Sequence, residues 1–248
     1  MRIIYLLIFT LILPVFVQAQ DYDFLNKEWK RLDSKRNIQI DITALEAYLH
    51  DGTKVPSSEF MQHFMSVDLM TAFYVDAHGT PKAAVFEVAS EEARQAKIST
   101  FEKMKGSDFM LNKKAPDFTL KNLEGNSINL QDFKGQYVLL NFWFAACKPC
   151  IMEMPELNEL VEEFKPKGIN FLAIGLDNPE RITKFLEQHA FNYELLPNGR
   201  RVAHSYGVTS YPTHLLLDPN GKVIFSQEGY FPGLKYTLRK RLKDALGQ

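Results

Sequence analysis

The sequence predicts an α/β protein in two parts, a smaller α+β domain followed by a larger one in which strands and helices alternate. Three features carry this expectation. Residues 137–144 and 169–174 are near-continuous apolar runs, the pattern of strands buried on both faces, with a helical segment between them. Residues 213–217 and 222–226 flank Asp218-Pro219-Asn220-Gly221, which is turn chemistry for an antiparallel hairpin. A polar, punctuated stretch at residues 106–116, containing Asn112, Lys113 and Lys114, separates this half from a differently patterned first half.

The first twenty residues are a targeting signal by pattern. Arg2 precedes an apolar run over residues 3–17 that ends in Val17-Gln18-Ala19, with small residues where a signal peptidase reads them. The run is shorter than the roughly 20 apolar residues of a membrane span and is interrupted by Pro14. Cleavage after Ala19 is therefore expected ahead of an uncleaved anchor. The mature chain is then expected to have no membrane span, to lie outside the cytoplasm, in a periplasm, and to meet conditions that permit disulfides.

In the mature first domain, residues 20–105, short helices are expected over residues 24–35 and 58–66. Residues 72–75 and 83–88 flank Asp76-Ala77-His78-Gly79-Thr80-Pro81 and predict a β-hairpin. Ser90 followed by Glu91 and Glu92 opens a helix that Lys103, Lys105 and Gly106 close, so caps and charges agree with the helix dipole. Met61, Met65 and Met70 read as packing residues, because no cysteine or paired histidine accompanies them. No motif here carries recognisable chemistry.

After a linker at residues 106–114, the second domain covers residues 115–248. A strand at 137–144 leads into a helix over about residues 150–164. Gly168 precedes the next strand, and Asn178-Pro179-Glu180 starts a helix running toward His189, which makes a βαβ unit with a parallel strand pair. The hairpin at 213–226 follows. Leu234, Leu238 and Leu242 then recur at four-residue spacing among Lys235, Arg239, Lys240, Arg241 and Lys243, predicting a terminal helix that covers the sheet and turns a basic face to solvent.

Composition bounds the chemistry. In 248 residues, 29 Lys and Arg stand against 30 Asp and Glu, so a net charge of -1 offers no general attraction for nucleic acid. Two cysteines cannot build a disulfide-stapled mini-domain or a four-cysteine zinc site. The histidines, His50, His63, His78, His189, His204 and His214, show no paired spacing, so no metal and no cofactor is expected.

Both cysteines lie in Cys147-Lys148-Pro149-Cys150, directly after a buried strand and at the start of a helix. Two intervening residues put the sulfurs within bonding reach. The helix N-terminus offers unpaired N–H groups and a positive dipole end, which favour a thiolate at Cys147, the expected nucleophile. Lys148 adds a cation, and Pro149 suits the first helical turn. Cys150, one turn in, is expected to resolve a mixed disulfide on Cys147. An inert staple is the weaker alternative, since so short a loop gains little from closure.

Residues 138–143 before Cys147 and Tyr206-Gly207-Val208-Thr209-Ser210-Tyr211-Pro212-Thr213 after it resemble thioredoxin-fold proteins. More narrowly, Ala115-Pro116-Asp117-Phe118-Thr119-Leu120, Asn141, and Glu153 with Pro155 resemble the TlpA/ResA group of extracytoplasmic thiol-disulfide oxidoreductases, within the wider AhpC/TSA redoxin superfamily. The resemblance covers about residues 115–246. It implies a thioredoxin fold, a central mixed sheet flanked by helices, and a redox-active disulfide between Cys147 and Cys150. It also implies a cis proline at Pro212, with Tyr211 hydrogen-bonding an extended substrate segment. Ordinary thioredoxins carry a buried aspartate where this chain has Asn141, which cannot exchange protons. Glu153, three residues after Cys150 on the same helix face, is its expected replacement in proton transfer. The family's tryptophan before the first cysteine is Ala146 here, which implies a smaller contact surface beside the nucleophile.

The expected activity is thiol–disulfide exchange with partner proteins that bear disulfides or dithiols, in the reducing direction and supplied by an upstream thiol donor. Two other readings are open. A peroxiredoxin would share the 115–120 entry, but has a threonine where Phe144 stands, three residues before the nucleophile. A non-catalytic binding protein would use residues 20–105 to recognise a partner.

Overall fold

The computed structural model describes residues 22–32, 40–42, 44–104 and 109–248. The expected signal segment, residues 1–19, lies outside them, as do residues 105–108. Among the described residues no helix is long and apolar enough to cross a membrane. The chain divides into two compact units, one reaching to Ser99 and the other running from Thr100 to Gln248.

The first unit contains β1 (Lys30–Arg31), β2 (Glu46–Leu49), α1 (Phe60–Met65), β3 (Leu69–Val75), β4 (Pro81–Val88) and the greater part of α2 (Glu91–Met104). Its sheet runs in the order β1-β3-β4-β2. β3 and β4 form the expected hairpin, whose turn closes on Asp76: the carboxylate accepts the N–H groups of His78 and Thr80, each at 2.9 Å. Side chains alternate across the sheet. Ala83 and Val85 join Leu25, Ala72 and Tyr74 on one face, while Ala84 and Phe86 join Ala47, Val55 and Phe60 of α1 on the other. Ser90 Oγ accepts the Ala93 N–H at 3.2 Å and caps α2 as its sequence predicts.

One expected helix is not found among the described residues. Where a helix is predicted over residues 24–35, the described part, 24–32, is a series of turns leading into β1. Asn26 Oδ1 takes the Glu28 N–H at 3.0 Å, and the Leu32 N–H donates to Phe73 O at 2.7 Å, so a local turn and sheet pairing capture the groups a helix would use. Arg31 then reaches Glu87 through two hydrogen bonds of 2.7 and 2.8 Å.

The second unit opens with a small hairpin, β5 (Thr119–Lys121) and β6 (Ser127–Asn129). It continues through β7 (Tyr137–Trp143), α3 (Lys148–Phe164), β8 (Ile169–Gly175), α4 (Pro179–Leu186), β9 (Glu194–Leu196), α5 (Arg200–Ser205), β10 (Thr213–Leu217), β11 (Val223–Glu228) and α6 (Leu234–Ala245). The main sheet has the order β11-β10-β7-β8-β9. β8 lies parallel to β7 and to β9, and β10 runs antiparallel to both β7 and β11, which makes the mixed sheet of a thioredoxin fold. The stretch expected to act as a linker behaves differently where it is described. Asn112 N–H donates to Val223 O and Val223 N–H to Lys113 O, both at 2.9 Å, so residues 112–113 extend the pairing of β11.

Every residue of β7 after Tyr137 is buried, which explains an apolar run interrupted only by Asn141. Leu139 and Trp143 face a layer built from α3, α4 and α6, whereas Val138, Leu140 and Phe142 face a layer containing Tyr206 and Val202. In α6, Leu234, Leu238 and Leu242 are buried as the spacing predicts. Part of the basic face is spent on α3: Lys235 meets Glu159 at 3.1 Å and Arg239 meets Glu163 at 2.6 Å. These partly exposed pairs fix orientation more than stability, at about 1 kcal/mol or less each.

Candidate active site

Cys147 and Cys150 are joined by a disulfide at the point where β7 gives way to α3. Cys147 is the N-cap residue of α3, and its Sγ lies 3.3 Å from the Cys150 N–H, which donates to it. The sulfur therefore already occupies the place where a helix N-terminus would steady a negative charge. Pro149 falls in the first turn, where the backbone lacks an intrahelical acceptor for its N–H in any case. Lys148 and Pro149 are exposed, whereas Cys147 and Cys150 are 4% and 1% exposed. The residual access falls to Cys147, the cysteine expected from the sequence to attack.

The turn ahead of Cys147 is tied down from the neighbouring strand. Asp177, just after β8, accepts the Ala145 N–H on Oδ2 at 2.7 Å, and its Oδ1 lies 3.3 Å from Arg181 Nε. The Cys147 N–H donates to Phe144 O at 3.0 Å. Sequence reading passes over Asp177, although an aspartate immediately after a buried parallel strand is the available signal. Phe144 in turn meets Tyr211 edge to face, with ring centroids 5.5 Å apart.

Tyr211 and Pro212 precede β10, joined by a cis peptide bond. Pro212 is buried and Tyr211 is half-buried beside the Phe144 turn. Burial pushes the Tyr211 phenol above its ordinary range, with Arg200 opposing the shift, so the hydroxyl stays a hydrogen-bond donor at neutral pH.

Glu153 lies one turn after Cys150 and is 1% exposed. Its carboxylate is held by two side chains from the sheet. Asn141 Nδ2 donates to Oε1 at 3.0 Å, and His214 Nε2 lies 3.0 Å from Oε2. Sequence reading finds Asn141 and Glu153 but not His214. The available signal is one ionisable residue in the strand run Thr213-His214-Leu215-Leu216-Leu217. What assigns it a place is register: His214 pairs with Asn141 across β10 and β7. Two tyrosines also face the carboxylate. Burial, then the charge of Glu153, holds Tyr193 well above the usual phenol range, and burial with Glu156 and Glu153 pushes Tyr230 up to about 12. Both remain neutral at physiological pH, so neither phenol serves as a base.

Comparison with known proteins agrees with this geometry. Residues 111–226 match the AhpC/TSA family. The chain is 40% identical over 121 residues to the thiol-disulfide oxidoreductase ResA of Bacillus thuringiensis subsp. konkukian, covering 48% of this chain and 70% of that protein. It is likewise 40% identical over 111 residues to ResA of Geobacillus thermodenitrificans, covering 44% of this chain and 64% of that protein. A crystal structure from Chlorobium tepidum, named for a thiol:disulfide interchange protein DsbE, superposes with a TM-score of 0.53 at 34% identity, over 55% of this chain and 98% of that one. With a disulfide whose first cysteine caps a helix, the mixed sheet of a thioredoxin fold and relatives matched over most of their length, the chain belongs to the TlpA/ResA-like family of thioredoxin-fold thiol-disulfide oxidoreductases.

Proposed function

We propose that the protein reduces disulfides of partner proteins by a two-step exchange in which Cys147 attacks, Cys150 resolves and Glu153 takes the proton of the resolving thiol. The observation that carries the reading is the order of groups along α3: Cys147 at the N-cap, Cys150 in the first turn, Glu153 buried in the next. A thiolate at Cys147 would gain from the helix end, and it is the more accessible of the two sulfurs. The attack forms a mixed disulfide, and Cys150 then displaces the substrate thiolate and regenerates the Cys147–Cys150 bond. Tyr211 and Pro212, beside the Phe144 turn, are read as the edge that holds an extended substrate segment.

The reducing direction follows from the family resemblance and requires an upstream thiol donor. The same proposal places the mature protein in the periplasm after cleavage behind Ala19, supported by Arg2, the apolar run at 3–17 and the small residues before the cut. Cys150→Ala tests the mechanism directly, because the mixed disulfide on Cys147 then has no resolving thiol. This variant is expected to accumulate covalent partner adducts in its own compartment, and Cys147→Ala to accumulate none. Equal trapping by both variants, or none by either, would remove Cys147 from the nucleophile role.

A further inference from the structure

The consecutive elements β7 and α3, together with the distant β10, bring Asn141, Glu153 and His214 into one buried cluster a single helical turn from Cys150. His214 is 0% exposed and Glu153 1%. Asn141 Nδ2 lies 3.0 Å from Glu153 Oε1 and 3.3 Å from His214 Nδ1. An amide nitrogen has two hydrogens. If it gives one to Oε1 and one to Nδ1, the ring proton must sit on Nε2, from which it is donated to Glu153 Oε2 at 3.0 Å. Both carboxylate oxygens and both ring nitrogens are then engaged. Asn141 Oδ1 is buried without a hydrogen-bond partner among the described residues.

A carboxylate buried this deeply needs a compensating partner. Among the described residues no lysine or arginine forms an ion pair with Glu153, and the side chain that meets Oε2 is the His214 imidazole. An imidazole differs from any other partner that would fit, because it can also accept a second proton. The other titratable groups around it are Tyr193 and Tyr230, both pushed up in part by the charge of Glu153, with Cys150 one turn before it on α3 and Glu156 three residues after it. The two phenols stay neutral, so neither is a base for the Cys150 proton.

We infer that His214 is a positioning residue for the exchange reaction, holding Glu153 as a carboxylate beside Cys150 and sharing the proton that the Cys150 thiol gives up. This rests on the reading of Glu153 as the proton acceptor. With Cys147 bonded to a substrate sulfur, the Cys150 S–H bond breaks and its proton passes to Glu153. The electron pair left on Cys150 Sγ attacks Cys147 Sγ. The bond between Cys147 and the substrate breaks, its pair leaves with the substrate thiolate, and the Cys147–Cys150 bond replaces it. The chain's dithiol is oxidised and the substrate disulfide reduced. The proton resides on the Glu153–His214 pair until the leaving thiolate or water removes it, and in the reverse direction the pair returns it to Cys150.

An aromatic disulfide with a coloured thiolate product separates the steps. Mixed with reduced protein, it releases one equivalent on attack by Cys147 and a second on resolution by Cys150. From about pH 5 to about pH 9, His214→Gln is expected to leave the first release unchanged, slow the second about tenfold and remove its pH step. An unchanged second release with the wild-type pH profile would overturn the inference. Glu153→Gln run alongside distinguishes the two failures: if it too leaves the second release unchanged, the role of Glu153 fails as well, whereas if it slows that release while His214→Gln does not, only the role of His214 fails. Should His214→Gln not fold, nitrogen NMR of the wild-type ring decides. A ring proton on Nε2, donated to Glu153 Oε2, with Nδ1 unprotonated is expected in the reduced protein, and a ring whose proton sits on Nδ1 alone would overturn the inference.

Discussion

Asn141 and Glu153 meet at 3.0 Å across the junction of β7 and α3, with the amide nitrogen donating to the carboxylate and both side chains buried. The acid of this cluster comes from the helix, and the strand contributes an amide that donates to it. A second acid at the strand position would bring two carboxyls to hydrogen-bond distance, where like charges oppose joint ionisation.

Asn141→Asp tests that arrangement. Two carboxyls at hydrogen-bond distance must share a proton in the folded protein, which then binds more protons than the unfolded chain. Stability should therefore fall as pH rises, by roughly 1–3 kcal/mol between mildly acidic and mildly basic solution relative to wild type. Urea denaturation of the oxidised protein at several pH values measures it. A variant with the wild-type pH dependence would refute the shared proton.

Asp177 anchors the Ala145 N–H at 2.7 Å and so holds the turn from which Cys147 projects. Asp177→Ala leaves that donor unpaired, and a loss of about 1–3 kcal/mol in stability is expected, together with slower attack by Cys147. Asp177→Asn keeps an acceptor oxygen and should recover most of both. Denaturation midpoints and the rate of mixed-disulfide formation report the two effects.

Tyr211→Ala removes the ring that meets Phe144 at 5.5 Å. If Tyr211 helps hold an extended segment, KM for a disulfide-bearing peptide should rise several-fold, while the rate with a small-molecule disulfide stays the same. Equal effects on both substrates would argue for a merely structural ring.

Lys97 lies in the first unit and donates to Ser66 O at 2.9 Å and Leu69 O at 2.6 Å. Burial depresses its ammonium from 10.5 to about 8, with Asp68 opposing the shift. The unfolded chain therefore binds this proton more tightly than the folded one. The resulting penalty is present in full below about pH 8 and is relieved as pH rises toward 10.5. Unfolding free energy of the wild type should rise over that window relative to Lys97→Met by no more than about 2 kcal/mol, allowing for partial solvent screening. Parallel pH curves for the two proteins would contradict it.

Gly199 caps α5, and its N–H donates to Gly175 O at 2.8 Å. A Cβ at this position would stand 2.3 Å from Ile174 Cγ2 and 3.1 Å from Gly175 O. Gly199→Ala should therefore cost about 1–3 kcal/mol through overpacking at the end of β8. Thermal unfolding checks this.

Much of the second unit is legible in the sequence because its signals are local. The buried runs of β7 and β8, the Asn-Gly hairpin of β10 and β11, and the leucine spacing of α6 each encode one element without help from the rest of the chain. Short strands such as β2 and β9 have no such signal: three or four residues state no period, and only a neighbouring strand makes them strands. Residues 24–32 carry a weak helical pattern that Asn26 and pairing with β3 override.

The site divides in the same way. The sequence by itself determined the Cys147–Cys150 pair, its place at a strand-to-helix junction, and Glu153 one turn on, since contacts within three residues of a helix follow from its pitch. Only the tertiary structure decided that Asn141, Glu153 and His214 share one buried cluster and that Asp177 holds the turn before Cys147. Those contacts span 12 to 73 positions and depend on the register of β7 against β8 and β10. No local pattern in a chain specifies register, which is set when whole strands pair.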